Sequence, residues 1–233
     1  IMVEIFGPSG SGKTSLLAEI CASAIARGGR VRVLDPEGRL NREYCEKFGL
    51  TIADKDYFRP DTVKEVFADL ENWGSSEDGI VDVFACDSIA ALSTEMEMEN
   101  EDKMGGKRAK EFSAGLRKTA RIIATDNRLI LFTNQVRQSM ASFGPKETTG
   151  GGMAVPFYAS LRIRIGIKEK IERKVKVVKE EKKIVGILSE AYIAKSTVDE
   201  PYRTAPVYIM FGYGLDDIRA NLQFLKDHTE DGK

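Results

Sequence analysis

The chain has 233 residues, 42% of them apolar and 30% charged, with 35 basic against 36 acidic side chains and a formal charge of −1. A chain this long buries roughly 70–75% of its unfolded surface, so its core needs neither disulfides nor a metal, and the charge balance excludes a histone-like or supercharged binder while leaving local patches open. Three scattered cysteines, Cys21, Cys45 and Cys86, and a single histidine, His228 in a polar tail, exclude the usual Cys/His zinc cluster and histidine-centred acid–base catalysis.

The first residues, 1–6, read as a strand that runs straight into Gly7-Pro8-Ser9-Gly10-Ser11-Gly12-Lys13-Thr14. A chain that opens on a central strand is expected to have lost a segment in front of it. Residues 15–27 have helical spacing through Leu16, Leu17, Ile20, Ala24 and Ile25, and Gly28-Gly29 ends them. Residues 31–35 form a short β-rich run that finishes on Asp35. Asn41 caps a helix over 42–48, and residues 62–73 form an amphipathic helix with Val63, Val66, Phe67 and Leu70 on one face. A strand over 81–87 again ends on an Asp, Asp87. A helix over 109–125 follows, and then a nearly all-apolar strand over 129–133 that stops at Asn134-Gln135. Strands alternate with helices and are mostly continuous apolar runs, which predicts an α/β fold with a mainly parallel sheet covered on both faces. From residue 161 onward, strand-like runs at 161–167, 175–178, 184–195 and 207–211 suggest antiparallel hairpins toward the C-terminus, closed by a helix over 215–226. No repeat or linker marks a second domain, so residues 1–233 are expected to form one. No apolar run approaches the ~20 residues of a membrane span and no signal peptide opens the chain, which predicts a soluble cytoplasmic protein with no membrane partner.

Gly7 to Thr14 fits G-x-x-x-x-G-K-[ST] between a strand and a helix, the context its chemistry requires. Backbone N–H groups of Gly10, Ser11, Gly12 and Lys13 would surround a β-phosphate at a helix N-terminus. Lys13 would reach the β/γ oxygens and the Thr14 hydroxyl would hold Mg²⁺. Asp87, at a strand end, is the natural partner that binds the ion through water. In open parallel sheets the carboxyl ends of strands converge on the ligand crevice, so Asp35-Pro36-Glu37 should lie beside this loop. Hydrolysis needs a carboxylate that orients water toward the γ-phosphate, and Glu37 is the candidate.

At this point the chain resembles the RecA family of recombinases, including its phage UvsX-type members. The matching segments are residues 3–14, DPEGRLNREYCEKFG (35–49), CDSIAAL (86–92), Met104-Gly105, FTNQVR (132–137), FGPKETTGGGMAVPFYASLR (143–162) and AYIAKSTVDEPYRTAPVYIMFGYG (191–214). The resemblance implies a RecA-like P-loop NTPase core that uses ATP and Mg²⁺, with its nucleotide on Gly7, Pro8, Ser9, Gly10, Ser11, Gly12, Lys13, Thr14 and Ser15. It makes Glu37 the catalytic glutamate, Asp87 the Mg²⁺-side aspartate, Tyr44 the aromatic that stacks on adenine, and Gln135 the γ-phosphate sensor. Asn41 stands where the family usually has Asp near the base. Two DNA loops are implied, one between Thr94 and Arg108 and one over 135–153, with Met104, Arg108, Arg137, Met140, Phe143, Gly151 and Gly152 as DNA contacts. The acidic start of the first loop, Glu95-Met96-Glu97-Met98-Glu99, reads as a solvated face, and Lys103, Lys107, Arg108 and Lys110 make its basic end. Lys195 matches the first of two cations that reach a neighbour's γ-phosphate across a filament interface. Thr197 occupies the second position, with Arg203 as a distant substitute. The charged stretch KEKIERKVKVVKEEKK (168–183) is longer than the bacterial hairpin there; it could be an added basic ridge for DNA, but reads rather as a solvated hairpin. The family's front packing segment and C-terminal domain are not matched.

The function so implied is an ATP-dependent strand-exchange protein. It would form a filament on single-stranded DNA, pair it with homologous duplex, and hydrolyse ATP in response to DNA, while this chain alone, without the front packing segment, is expected to self-associate weakly or not at all. A recombination accessory protein that binds nucleotide and partners without strand exchange, and a hexameric motor built on the same core, are the alternatives. The FGPKETTGGG loop favours the recombinase.

Overall fold

The structure, a computed structural model, describes residues 1–74, 76, 79–94, 106–138, 147–176 and 180–229. Its elements in chain order are β1 (Met2–Gly7), α1 (Lys13–Ala26), β2 (Val31–Leu34), α2 (Arg42–Glu46), β3 (Tyr57–Phe58), α3 (Val63–Asn72), β4 (Asp82–Cys86), α4 (Gly106–Thr125), β5 (Arg128–Gln138), β6 (Glu147–Thr149), α5 (Ala154–Tyr158), β7 (Leu161–Lys176), β8 (Glu180–Ser196), β9 (Thr204–Met210), β10 (Gly214–Leu215) and α6 (Asp217–His228).

One sheet runs through them in the order β10-β9-β8-β7-β1-β5-β4-β2-β3, with β6 beside β5. The six strands from β7 to β3 are parallel, and β8, β9 and β10 add on antiparallel. Side chains alternate across the parallel half, as a sheet covered on both faces requires. Val3, Ile5, Val33, Val83, Ala85 and Leu131 pack with α1 on one face. Met2, Leu34, Phe84, Cys86, Ile130 and Phe132 pack with α3 and α4 on the other. α3 begins on a capping box in which Thr62 and Glu65 each satisfy the other's backbone N–H. Cys21, Cys45 and Cys86 are free thiols inside these cores. Burial pushes the Cys45 thiol up to about 11, out of the reactive range. Among the described residues, no helix is long and apolar enough to cross a membrane.

Several expectations need correction. The strand expected over 129–133 does not stop at Asn134-Gln135 but continues to Gln138, where Val136, Arg137 and Gln138 pair with Thr149, Thr148 and Glu147. The long loop expected over 135–153 therefore begins and ends as an antiparallel arm. The runs at 161–167 and 175–178 belong, as far as Lys176, to one strand, because the charged residues between them also pair across to β8; residues 177 and 178 lie outside the described residues. The short helix α5 was not expected at all, and α4 starts at Gly106 rather than 109. Residues 95–105, 139–146 and 177–179 lie outside the described residues, so Met104, Met140 and Phe143 are not placed.

Candidate functional site

The parallel strands bring their carboxyl ends to one edge. Gly7, the last residue of β1, sits opposite Gln135 of β5, and β2 ends opposite β4 with Leu34 beside Cys86. Glycine is required at Gly7 by a backbone contact and at Gly12 by its backbone conformation. A Cβ on Gly7 would stand 2.0 Å from the Ile165 carbonyl oxygen, and one on Gly12 would stand 2.0 Å from Ile209 Cδ1. Gly12 also takes the left-handed φ of 95° that opens α1. Ser189 of β8 donates to the Ser11 carbonyl at 2.9 Å, tying the loop to the antiparallel half. Lys13 is 8% exposed and its Nζ donates to the Gly7 and Pro8 carbonyls at 3.1 and 2.8 Å. Burial lowers its pKa, against the opposing pull of Asp87 and Glu37.

The acidic strand ends divide their work. Asp35 is buried, and its carboxylate accepts from the Arg39 and Leu40 N–H groups and from the Tyr57 hydroxyl, so it shapes the turn that carries Glu37. Asp87 accepts from the Thr14 hydroxyl at 2.6 Å and from the Thr133 hydroxyl. Burial raises the Asp87 pKa; the two hydroxyls pull it down, and the nearby Glu37 and Asp35 push it up again. Glu37 Oε1 accepts from Ser88 Oγ at 2.9 Å and from Gln135 Nε2 at 3.2 Å, while its Oε2 lies 3.6 Å from the Arg39 guanidinium. Sequence reasoning missed Ser88, Thr133, Ser189 and Arg39. The β4–β5 register held a signal for Thr133, since Cys86 pairs with Phe132 and the next residue on each strand is Asp87 and Thr133.

Asn134, next to Gln135, is a buried junction. Its Oδ1 accepts from the Gln135 and Gly150 N–H groups, and its Nδ2 donates to the Gly150 carbonyl and to Glu4. Glu4, fully buried on β1, also accepts from Arg162 Nε at 2.6 Å. The two ends of the β5–β6 arm are thereby tied to each other and to the centre of the sheet.

A cavity of about 430 Å³ joins these groups. Of the residues expected to hold nucleotide or act on it, Ser9, Gly10, Gly12, Lys13, Thr14, Ser15, Glu37, Tyr44, Asp87 and Gln135 line it. Gly7, Pro8 and Ser11 do not line it; the Gly7 and Pro8 carbonyls accept from Lys13, and the Ser11 hydroxyl donates to the Pro8 carbonyl at 2.8 Å. Asn41 caps α2 by accepting from the Tyr44 N–H at 2.8 Å. Tyr44 is held in the wall by Ser15 Oγ at 3.2 Å and by edge contact with Phe48. Ile187, Ile209 and Phe211 supply an apolar side that sequence reasoning did not foresee.

The remaining expected residues lie apart from the cavity. Arg137 is exposed on the β5–β6 arm opposite Thr148. Gly151 and Gly152 form the turn that leads from the arm into α5. Arg108 is half-buried on α4 and donates to the Ala90 and Leu92 carbonyls, so part of its guanidinium is spent inside the fold. Lys195 donates to the Pro156 and Phe157 carbonyls, both at 2.8 Å. Thr197 bonds to the Ser160 carbonyl, and Arg203 pairs with Asp199 and Glu200.

The donor set suits a hard cation. A hydroxyl and one carboxylate beside a nest of N–H groups are what an ion needs when water and phosphate oxygens complete its shell. Among the described residues, no cluster of three His, Cys, Asp or Glu side chains offers an all-protein metal site.

Comparison with known proteins gives a concordant picture. A family model described as the RecA N-terminal domain matches residues 1–216. The protein RecA of Thermus thermophilus is 36% identical over 220 residues, covering 93% of this chain and 62% of that protein. RecA of Methylococcus capsulatus is 36% identical over 217 residues, 92% of this chain and 60% of that protein. RecA of Rhodospirillum rubrum is 34% identical over 220 residues, 93% and 58%. The chain thus spans about three fifths of the length of these relatives.

Proposed function

The chain belongs to the RecA family, and from that premise we propose that it is an ATP-dependent recombination protein. It forms a filament on single-stranded DNA, pairs that strand with homologous duplex and promotes exchange, and DNA switches on its ATP hydrolysis. The observation that carries this reading is the position of Gln135. Its side chain donates to Glu37 in the cavity, and its strand continues directly into the β5–β6 arm. One residue therefore belongs to both the nucleotide wall and the arm that carries Arg137. A neutral amide suits such a junction, because it can donate to a phosphate oxygen or to Glu37 without leaving a charge unpaired.

In this reading ATP supplies the phosphoryl group, and Mg²⁺ neutralises charge on its oxygens. The protein's share is positional. The loop N–H groups and Lys13 hold the phosphates, and Thr14 and Asp87 hold the ion. Glu37 orients water, and Tyr44 receives the base. Lys195 lies outside its own chain's cavity, which supports its use at a neighbour's site in the filament.

The test compares ATP hydrolysis with and without single-stranded DNA for the parental protein and Gln135→Ala. DNA should stimulate the parent and leave the variant at its basal rate, with ATP affinity unchanged. Equal stimulation of both would remove Gln135 from the coupling, and a parental rate indifferent to DNA would overturn the reading itself.

A further inference from the structure

The described residues that line the nucleotide cavity include three carboxylates, Asp35, Glu37 and Asp87, and two cations, Lys13 and Arg39. Lys13 is buried, and its ammonium is tied to the Gly7 and Pro8 carbonyls. Arg39 combines a fixed backbone with a free side chain. Its N–H and that of Leu40 both donate to the buried Asp35 carboxylate. Gly38 before it turns at a φ of 62°, and a Cβ there would stand 2.0 Å from the guanidinium of Arg59 packed against the turn. The Arg39 side chain is nonetheless 83% exposed. Its guanidinium makes no hydrogen bond among the described residues, since Glu37 Oε2 at 3.6 Å is beyond that range.

A nucleoside triphosphate adds negative charge to a wall that already holds more carboxylates than cations. Further charge must be held on the γ-phosphoryl oxygens as the bond to the leaving oxygen breaks. Lys195 and Arg203 do not enter the cavity of their own chain, and each is bonded to carbonyls or carboxylates elsewhere. Arg39 is therefore the cation with unspent donors that the turn after β2 delivers to this wall. A guanidinium meets a phosphate with two parallel N–H donors, a match that an ammonium cannot make. Its exposed pair with Glu37 is weak enough to be exchanged for that match.

We propose that Arg39 is a further catalytic residue, which leaves Glu37 when ATP binds and donates to the γ-phosphate from within the same chain. The role requires that the cavity be the ATPase site proposed above, with Glu37 beside the attacking water. In the step it assists, the water oxygen bonds to the γ-phosphorus. The bond to the β–γ bridging oxygen breaks, its electron pair leaves on ADP, and the water's proton passes to Glu37. Arg39 keeps its own protons and neutralises charge on the γ-phosphoryl oxygens. Its departure also frees Glu37 Oε2 to accept from the water, so one movement supplies the cation and releases the base.

The experiment measures, by calorimetry with Mg²⁺ present, the affinity for ADP and for an ATP analogue whose β–γ bridge is an imide that water does not cleave. Loss of a charge-assisted hydrogen bond weakens binding roughly ten- to hundred-fold, so Arg39→Gln should lose that factor for the analogue and less than about twofold for ADP. Arg39→Lys keeps the charge without the fork and should recover part of the loss. The control Arg42→Gln removes the same charge from the start of α2, outside the cavity, and should leave both affinities as they were. The Arg39→Gln melting temperature should match the parental one, because the side chain is exposed. DNA-stimulated hydrolysis should fall about 10³-fold in Arg39→Gln, the low end of what an arginine at a γ-phosphate contributes. An equal loss for the analogue and ADP would put Arg39 on the inner phosphates and overturn the proposal. Parental affinities and rate in the variant would overturn it too, while leaving Glu37 and the ATPase reading intact. A parental protein that binds neither nucleotide would overturn both.

Discussion

The nucleotide edge and the β7–β8 arm handle charge in opposite ways. At the edge, Asp35 accepts three hydrogen bonds, Asp87 two hydroxyls, Glu37 a hydroxyl and an amide, and Lys13 sits on two carbonyls. On the arm, ion pairs such as Lys182–Glu172 lie in solvent, and Arg173 and Lys183 simply face each other. A buried ion without partners costs several kcal/mol, so the edge had to be wired as the chain folded. A surface ion is screened by water and needs no fixed partner. The same residue types thus stand differently at the two ends: preorganised at one, solvated at the other. Substitutions should separate them sharply.

The largest effects belong to the edge. Glu37→Gln should leave ATP affinity nearly unchanged and lower hydrolysis about 10²–10⁴-fold, the usual contribution of a positioned general base. Lys13→Ala should instead cost affinity, about 2–5 kcal/mol, because phosphate charge loses its buried cation. Steady-state hydrolysis and titration with a fluorescent ATP analogue resolve the two. A Glu37→Gln variant with the parental rate would hand the water-orienting role to another carboxylate.

Stability offers the next contrast. Glu4→Ala strands the Arg162 guanidinium at the centre of the sheet and takes one of two acceptors from the Asn134 amide, and should cost about 3 kcal/mol. Glu172→Ala on the arm removes an ion pair whose partners are 70% and 47% exposed, and should stay within about 0.5 kcal/mol. Urea unfolding midpoints measure both. Equal losses would mean that the arm is as interlocked as the sheet centre.

The parallel half was legible because its strands are buried on both faces, so that runs such as Val83-Phe84-Ala85-Cys86 announce themselves by composition alone. The antiparallel half was harder for the opposite reason. Residues 168–174 lie in a strand exposed to water, carry no apolar pattern, and were split from the strand they belong to. α5 gave no signal either, since it has five residues, contains Pro156 and lacks a side-chain cap. In the cavity, Lys13, Thr14, Glu37 and Asp87 were found by motif or by their place at strand ends. Ser88 and Thr133 were not, because a hydroxyl's partner is set by strand register and has no periodicity of its own. Charge was readable at Arg108 and Lys195 but direction was not: both turn their nitrogens onto carbonyls of the same chain.

The smallest predicted effect probes the cost of wiring the edge in advance. Burial is the main cause of the raised Asp87 pKa, with Glu37 and Asp35 adding to it and the Thr14 and Thr133 hydroxyls opposing it. A carboxyl whose pKa is raised on folding favours the folded state below its ordinary value of about 3.9, and loses that contribution as pH rises through the folded value. At neutral pH the charged Asp87 is therefore a net burden on the free protein, and Asp87→Asn should raise its melting temperature by a few degrees at most. If Asp87 holds Mg²⁺ with the nucleotide, as proposed, binding requires the charged form and must expel the proton when the carboxyl is protonated. Affinity should then fall with pH from above the ordinary carboxylate range, approaching about tenfold per pH unit for one linked proton. The phosphates titrate as well, so the comparison is between the parent and Asp87→Asn, measured by calorimetry from about pH 5 to pH 8. The variant should bind more weakly throughout and lose the part of the pH dependence that belongs to Asp87. Parallel curves for the two proteins would mean that Asp87 exchanges no proton when the nucleotide binds, and that its two hydroxyl donors already hold it charged.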